Sequence, residues 1–129
     1  MDLKIGSLNV RGLGDKANHR ETFNWLRSKK MSIFFLQEVH CTEENKHDCR
    51  AEWGYQVLFS CGSSKTAGVA ILFNNNFDFQ ISKAYSDPGG RFIVCDFITN
   101  GKHLLTKSNQ LYNKLRMNMR RICLYSGKW

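Results

Sequence analysis

The chain has 129 residues, enough for one ordinary domain with a sizeable core and too few for two comfortable ones. It is 42% hydrophobic and 23% charged, a globular composition; the N-terminus "MDLKIGSLNV" lacks a signal peptide's apolar stretch, and no apolar run approaches the ~18 residues of a membrane span. These features argue against secretion and membrane insertion, while a formal charge of +8 points to a polyanionic partner.

The charge is unevenly placed. Residues 1 to 100 carry 12 basic against 11 acidic residues, and residues 101 to 129 carry 7 basic and none acidic. In chain order, "LKIGSLNV" (3 to 10) reads as a strand with Leu3, Ile5, Leu8 and Val10 apolar and its register blurred by Gly6 and Ser7. "RGLGD" breaks it, and Asp15 can cap a helix to about Lys30, with Phe23 and Leu26 on one face, Trp25 beside it, and Lys29 and Lys30 at its C-terminal end. The apolar run 32 to 38 completes a βαβ unit with parallel neighbouring strands.

A second helix is expected from Thr42, with Glu43 and Glu44 in its first turn, to about Trp53. Beyond Gly54, "YQVLFS", "AGVAILFN", "FQISKAYS" and "GRFIVCDFIT" are strand-like runs separated by the turn compositions "CGSSK", "NNN" and "DPGG". The connections are too short for crossover helices, which predicts an antiparallel meander and one mixed sheet with helices on one face. From residue 101 no turn signal or clear alternation is evident. Leu111, Leu115 and Met119 are spaced by four, so a basic helix over 107 to 122 or a solvated tail is expected.

Three constellations carry chemistry. Asn9 and Glu38 end parallel neighbouring strands, at the rim where open α/β sheets bind ligands, and a carboxylate beside an amide oxygen suits a hard cation. The competing reading makes Glu38 a helix cap or the partner of Arg11. "GLGDKA" (12 to 17) fits a dinucleotide fingerprint with Glu38 as its distal acid, but Asp15 would set negative charge against a pyrophosphate and no further βα units follow. Arg91, after the Pro88, Gly89, Gly90 turn, could meet a phosphate with its planar fork or stand solvated. The five cysteines, 41, 49, 61, 95 and 123, are expected as reduced thiols; a zinc cage from His40, Cys41, His47, Cys49 and Cys61 lacks any CxxC pair.

Taken together and in this order, "LKIGSLNVRGL", "FFLQEVHCTEE", "GVAILFN" and "SDPGGRFIVCDF" resemble the N-terminal half of the endonuclease/exonuclease/phosphatase superfamily. Within it, the chain is most similar to the apurinic-site-type endonuclease domain of long-interspersed-element (non-LTR) retrotransposons, over about residues 2 to 102. The resemblance implies the N-terminal half of a four-layered α/β sandwich, with mixed parallel and antiparallel sheet and helices on the outer face. It also implies DNA phosphodiester cleavage with Mg²⁺ or Mn²⁺, and it sets the dinucleotide reading aside. Asn9 and Glu38 match the family's catalytic, metal-binding pair, and His40 falls in the loop near the site.

The departures from the family pattern carry equal weight. The GDFN-like and SDH-like motifs that supply the remaining Asp, Asn and His do not occur in this sequence, and "HLLTKSNQLYNK" is not the expected tyrosine-bearing strand. A truncated domain over 1 to 102 and a basic tail over 103 to 129 are expected, with metal held weakly or lost and little or no nuclease activity. Arg11, His40, Arg91, Arg120 and Arg121 are the expected nucleic-acid contacts. An exposed inner sheet face, drawn from Phe34, Leu36, Val69, Ile71, Phe92 and Val94, predicts self-association. The alternative function is a non-catalytic module whose tail binds DNA or RNA. An intracellular protein is expected, and a DNA-cutting ancestry favours the nucleus.

Overall fold

The computed structural model describes residues 3–13, 16–43, 45–61, 68–109, 113–116 and 122–128, with 16–18, 113–116 and 122–128 described by backbone alone. Strand β1 (Leu3–Asn9), helix α1 (Lys16–Ser28) and strand β2 (Ile33–Gln37) form the βαβ unit that the sequence predicts, with Ile5 opposite Ile33 and Asn9 opposite Gln37 in parallel register. The cap expected at Asp15 lies outside the described residues. Gly6 is required where β1 crosses the Phe34 ring, because a Cβ there would overlap the ring carbons.

Helix α2 (Lys46–Trp53) starts four residues later than expected. Thr42 and Asn45 first bond each other reciprocally: the Thr42 N–H donates to Asn45 Oδ1 at 2.8 Å and the Asn45 N–H to Thr42 Oγ1 at 3.2 Å. This turn precedes the first helical residue, whose own N–H reaches the Thr42 carbonyl at 3.0 Å; the N-cap Asn45 makes no side-chain cap bond to the helix. Gly54, at φ +79°, closes the helix with its N–H on the Arg50 carbonyl.

The four strand-like runs after Gly54 do not form one meander. Strands β3 (Val57–Ser60) and β4 (Val69–Phe73) join the first sheet in the order β3-β4-β2-β1-β9, where β4 lies antiparallel to β2 and β9 (Ile122–Lys128) parallel to β1. Strands β5 (Gln80–Ser86) and β6 (Phe92–Thr99) begin a second, antiparallel sheet that continues with β7 (Lys102–Asn109) and β8 (Asn113–Arg116). The chain changes sheets across residues 74–79, where Asn74 Nδ2 donates to the Met31 carbonyl and Asn76 Nδ2 to the Lys30 carbonyl, pinning the crossing to the end of α1. The β5–β6 ladder shifts register between Ile81 and Lys83, a bulge on the edge strand.

The tail reading is corrected in part. Lys102–Asn109 is a strand, paired along its length with β6, so the boundary expected at 102 falls within a hairpin and no helix spans 107 to 122. The hairpin turn is Asn100-Gly101, both at positive φ, the pair a two-residue turn demands. Alternation in β7 is masked because its inward positions after Leu104 are Thr106 and Ser108, both fully buried; Thr106 Oγ1 donates to the Cys95 carbonyl at 3.1 Å.

Two apolar layers result. Phe23 and Leu26 of α1 and Cys49 and Trp53 of α2 pack with Leu8, Phe34, Leu36 and Leu72 on one face of the first sheet. Ile5, Ile33, Phe35, Ile71 and Phe73 on its other face meet Ile93, Cys95, Phe97 and Leu104 of the second sheet. The inner face expected to be open is covered: Val69 and Ile71 lie buried on it, whereas Phe34 and Leu36 are buried on the helix side and Phe92 and Val94 are half-buried on the outer side of the second sheet. What stays uncovered, among the described residues, is the outer face of the second sheet.

The expectation of five reduced thiols is also corrected, because Cys41 and Cys61 are joined as a disulfide. Its cause is tertiary: the Val39 N–H donates to the Gly68 carbonyl and β3 pairs with β4, which brings the residue after β3 beside the loop after β2. Cys49 and Cys95 are buried free thiols, and burial is the main reason each is pushed up to about 11. Cys49 faces His19 Nδ1 at 3.9 Å between the two helices rather than joining a zinc cage with Cys41. Among the described residues, no helix is long and apolar enough to cross a membrane.

Candidate active site

Three strands run toward the same rim, and each changes character in step along its inter-sheet face. On β1 the sequence of inward residues is Leu3, Ile5, then Ser7 and Asn9; on β2 it is Ile33, Phe35, then Gln37; on β7 it is Leu104, then Thr106 and Ser108. Ser7 and Gln37 bond across the strands, with Gln37 Nε2 3.3 Å from Ser7 Oγ and 3.2 Å from the Phe35 carbonyl. Buried polar groups stabilise a fold only when bonded, so an apolar layer that ends in amides and hydroxyls has the character of a cleft floor.

Above that floor the backbone is strained. Arg11, Glu38 and His40 have φ of +50°, +52° and +57°, and Gly12 between them has +83°. A left-handed conformation costs a non-glycine residue about 1–2 kcal/mol, and such residues persist where surrounding bonds over-determine them. Those bonds are present: the Gly12 N–H reaches the Glu38 carbonyl at 2.6 Å, the Leu13 N–H the Val39 carbonyl at 3.3 Å, and the Val10 N–H the Gln37 carbonyl at 3.1 Å. The two loops are therefore zipped together past the ends of their strands. At Gly12 a Cβ would stand 2.5 Å from His40 Nδ1, so the imidazole lies where a side chain would otherwise be.

Asn9, Glu38, Arg11 and His40 thus lie at one rim, at or just past the ends of β1 and β2. Asn9 Oδ1 accepts the Arg11 backbone N–H at 3.0 Å, which fixes the orientation of the carboxamide, while Arg11 itself is exposed and Glu38 half-buried. The turn before β6 is tied to this rim through Ser60, whose hydroxyl donates to the Asp87 carbonyl at 2.6 Å. Arg91 is there, but its fork is engaged: Nε donates to Asp87 Oδ2 at 2.7 Å and a terminal nitrogen to Oδ1 at 3.1 Å. That pairing holds the Asp87 carboxyl below its ordinary range. Arg120 and Arg121 lie outside the described residues.

Sequence reasoning passed over Ser7, Gln37 and Asp87. Gln37 carried a signal, because it ends an otherwise continuous apolar run beside Asn9; Asp87 opens a Pro-Gly-Gly turn four residues before Arg91. The donor chemistry at the rim, one carboxylate and one carboxamide oxygen, fits a hard divalent cation that completes its shell with water and phosphate. It does not make a closed cage: among the described residues no group of three His, Cys, Asp or Glu side chains is placed to hold a metal.

Two facing sheets, helices packed outside the first, and a polar rim where parallel strands end define the class of this molecule. A family profile described as Endonuclease/Exonuclease/phosphatase family matches residues 6–118, and the chain belongs to that family. It is 31% identical over 93 residues to a Xenopus laevis protein described as Transposon TX1 uncharacterized 149 kDa protein. The shared stretch is 72% of this chain and 7% of that relative.

Among solved structures, an AP endonuclease from Archaeoglobus fulgidus matches with a TM-score of 0.53 and 27% identity, covering 77% of this chain and 38% of that one. A functionally unknown conserved protein from Enterococcus faecalis V583 matches with a TM-score of 0.56 and 17% identity, covering 78% of this chain and 50% of that one, a likeness of fold alone. The resemblance read from the sequence is borne out. The chain spans half or less of the length of these structures.

Proposed function

We propose that this chain is the N-terminal part of a transposon-type DNA endonuclease domain that retains the cation-binding side of the site and, by itself, cleaves phosphodiesters little or not at all. The observation that carries this reading is the concerted turn from apolar to polar residues on β1, β2 and β7 beneath the left-handed Arg11, Glu38 and His40. Glu38 and Asn9 would hold Mg²⁺ or Mn²⁺, and a bound cation of this kind neutralises a phosphodiester and the charge that develops on its leaving oxygen.

The chain's own residues bind and orient. The Arg11 backbone N–H aims the Asn9 carboxamide, and the exposed Arg11 side chain and His40 flank the place a DNA phosphate would occupy. Arg91 orders the neighbouring turn through Asp87 and is the weakest candidate for a phosphate contact. A general base for the attacking water would come from the Asp and His motifs that this sequence lacks. One missing group of that kind commonly costs about 10²- to 10³-fold in rate. A DNA-cutting ancestry favours a nuclear location.

Plasmid nicking with Mg²⁺, beside Glu38→Gln and a chelated control, tests the activity: nicking no higher than in both controls is expected. Nicking abolished by both would show that the chain carries a base elsewhere. Mg²⁺ binding is read separately by the shift in melting temperature, which Glu38→Gln should remove.

A further inference from the structure

We infer that the Cys41–Cys61 bridge is a redox-dependent positioning device for the rim. Closed, it holds the loop that carries Glu38 and His40; opened by a dithiol, it frees that loop without unfolding the chain. The bridge joins residues 20 apart in sequence, and Cys41 directly follows His40, which like Glu38 is held at positive φ.

Separate elements converge on this bridge. Cys41 lies in the loop after β2, Cys61 follows β3 directly, and Gly68 precedes β4 so closely packed that a Cβ there would stand 3.3 Å from Cys41 Sγ. Ser60, beside Cys61, donates its hydroxyl to the Asp87 carbonyl, so the same node reaches the turn that Arg91 orders. Past Gln37 the ladder between β1 and β2 has ended, and the loop is held by single bonds: the Val39 N–H on the Gly68 carbonyl at 3.0 Å, and the Gly12 and Leu13 N–H groups on the Glu38 and Val39 carbonyls. A segment secured in this way opens locally more readily than a sheet does, and a covalent tether at its end restrains that opening.

Both redox states suit the surroundings. Cys41 is buried and Cys61, half-buried, packs against the same helix-side core, where a thiol is accommodated as a small apolar group. A reduced Cys41 has an acceptor within reach, since its sulfur lies 3.9 Å from the Ser60 carbonyl. Cys61 is the sulfur that solvent reaches. A thiolate of the dithiol attacks Cys61 Sγ, and the S–S bond breaks with its electron pair on Cys41 Sγ; the second thiol then displaces Cys61. The cysteines gain two electrons and two protons, and the reductant closes its own disulfide.

The test is backbone hydrogen exchange of the whole chain in chelator, before and after dithiothreitol, with iodoacetamide labelling to follow the opened bridge. Cys61 should take label only after reduction. The Gly12, Leu13 and Val39 amides should then gain in exchange rate about 10-fold more than the amides of β6, and glutathione disulfide should restore their protection. Cys61→Ser should exchange as the reduced chain does and ignore dithiothreitol, which assigns the effect to this bridge rather than to Cys49, Cys95 or Cys123. Exchange raised by one factor throughout makes the bridge a staple of the whole fold and overturns the inference. So do rim amides unchanged by reduction, or a Cys61 that takes label without it. Chelator keeps any cation out of these readouts, so this inference and the nuclease reading fail independently.

Discussion

The two sheets of this molecule share one buried interface yet differ in how their sequences are written. In the first, β2 and β4 are buried at every position, because helices cover one face and the second sheet the other. In the second, β6 and β7 alternate, with Ile93, Cys95 and Phe97 inward and Lys107, Leu105 and His103 outward. A strand covered on both faces reads as a continuous apolar run and a strand covered on one face as an alternation, so burial on each face is recorded in the period.

The sharpest way to test this contrast is Phe35→Ala, which empties a site between the sheets. It should cost about 3–5 kcal/mol, read as a lowered urea midpoint at unchanged slope. Gly6→Ala is next, at about 1–3 kcal/mol, because the added methyl presses the Phe34 ring against α1 and the helix must yield.

Asp87→Asn should have a smaller effect that depends on acidity. Arg91 lowers the Asp87 carboxyl below its ordinary value, so the pair stabilises the fold at neutral pH and its contribution is lost as pH falls through the lowered value. The difference in melting temperature between Asp87→Asn and the unaltered chain should therefore be full at pH 7 and vanish in strong acid. Leu105→Ala, on the uncovered face, should fall within about 0.5 kcal/mol. A cost there approaching that of Phe35→Ala would mean that this face is covered in solution and would end the contrast.

Much of the first sheet was legible. Leu3 to Asn9, α1 and the run to Gln37 declare themselves by period and by the break at Gly12, and Asn9 with Glu38 followed from two parallel strand ends. The second sheet was legible strand by strand but not as a separate body, since nothing local at Asn74 to Phe79 says that the chain leaves one sheet for another. β7 escaped because Thr106 and Ser108 occupy buried positions usually held by apolar side chains, although Asn100-Gly101 announced the hairpin. The disulfide was beyond reach for another reason: Cys41 and Cys61 are joined through strand pairings that only the folded chain brings about. At the site, the residues were visible and their strain was not, because a left-handed Glu38 or His40 is imposed by the zipped loops rather than by its own side chain.

The bulge between Ile81 and Lys83 gains a meaning from the bare face beside it. β5 is the outermost strand of its sheet, and a straight outermost strand offers its unused amides and carbonyls as a template to any extended chain that drifts past. One misplaced residue breaks the cadence of that template, and the ammonium of Lys83 follows at once. At the β5 edge the sheet is thereby a poor template for sideways growth into fibres.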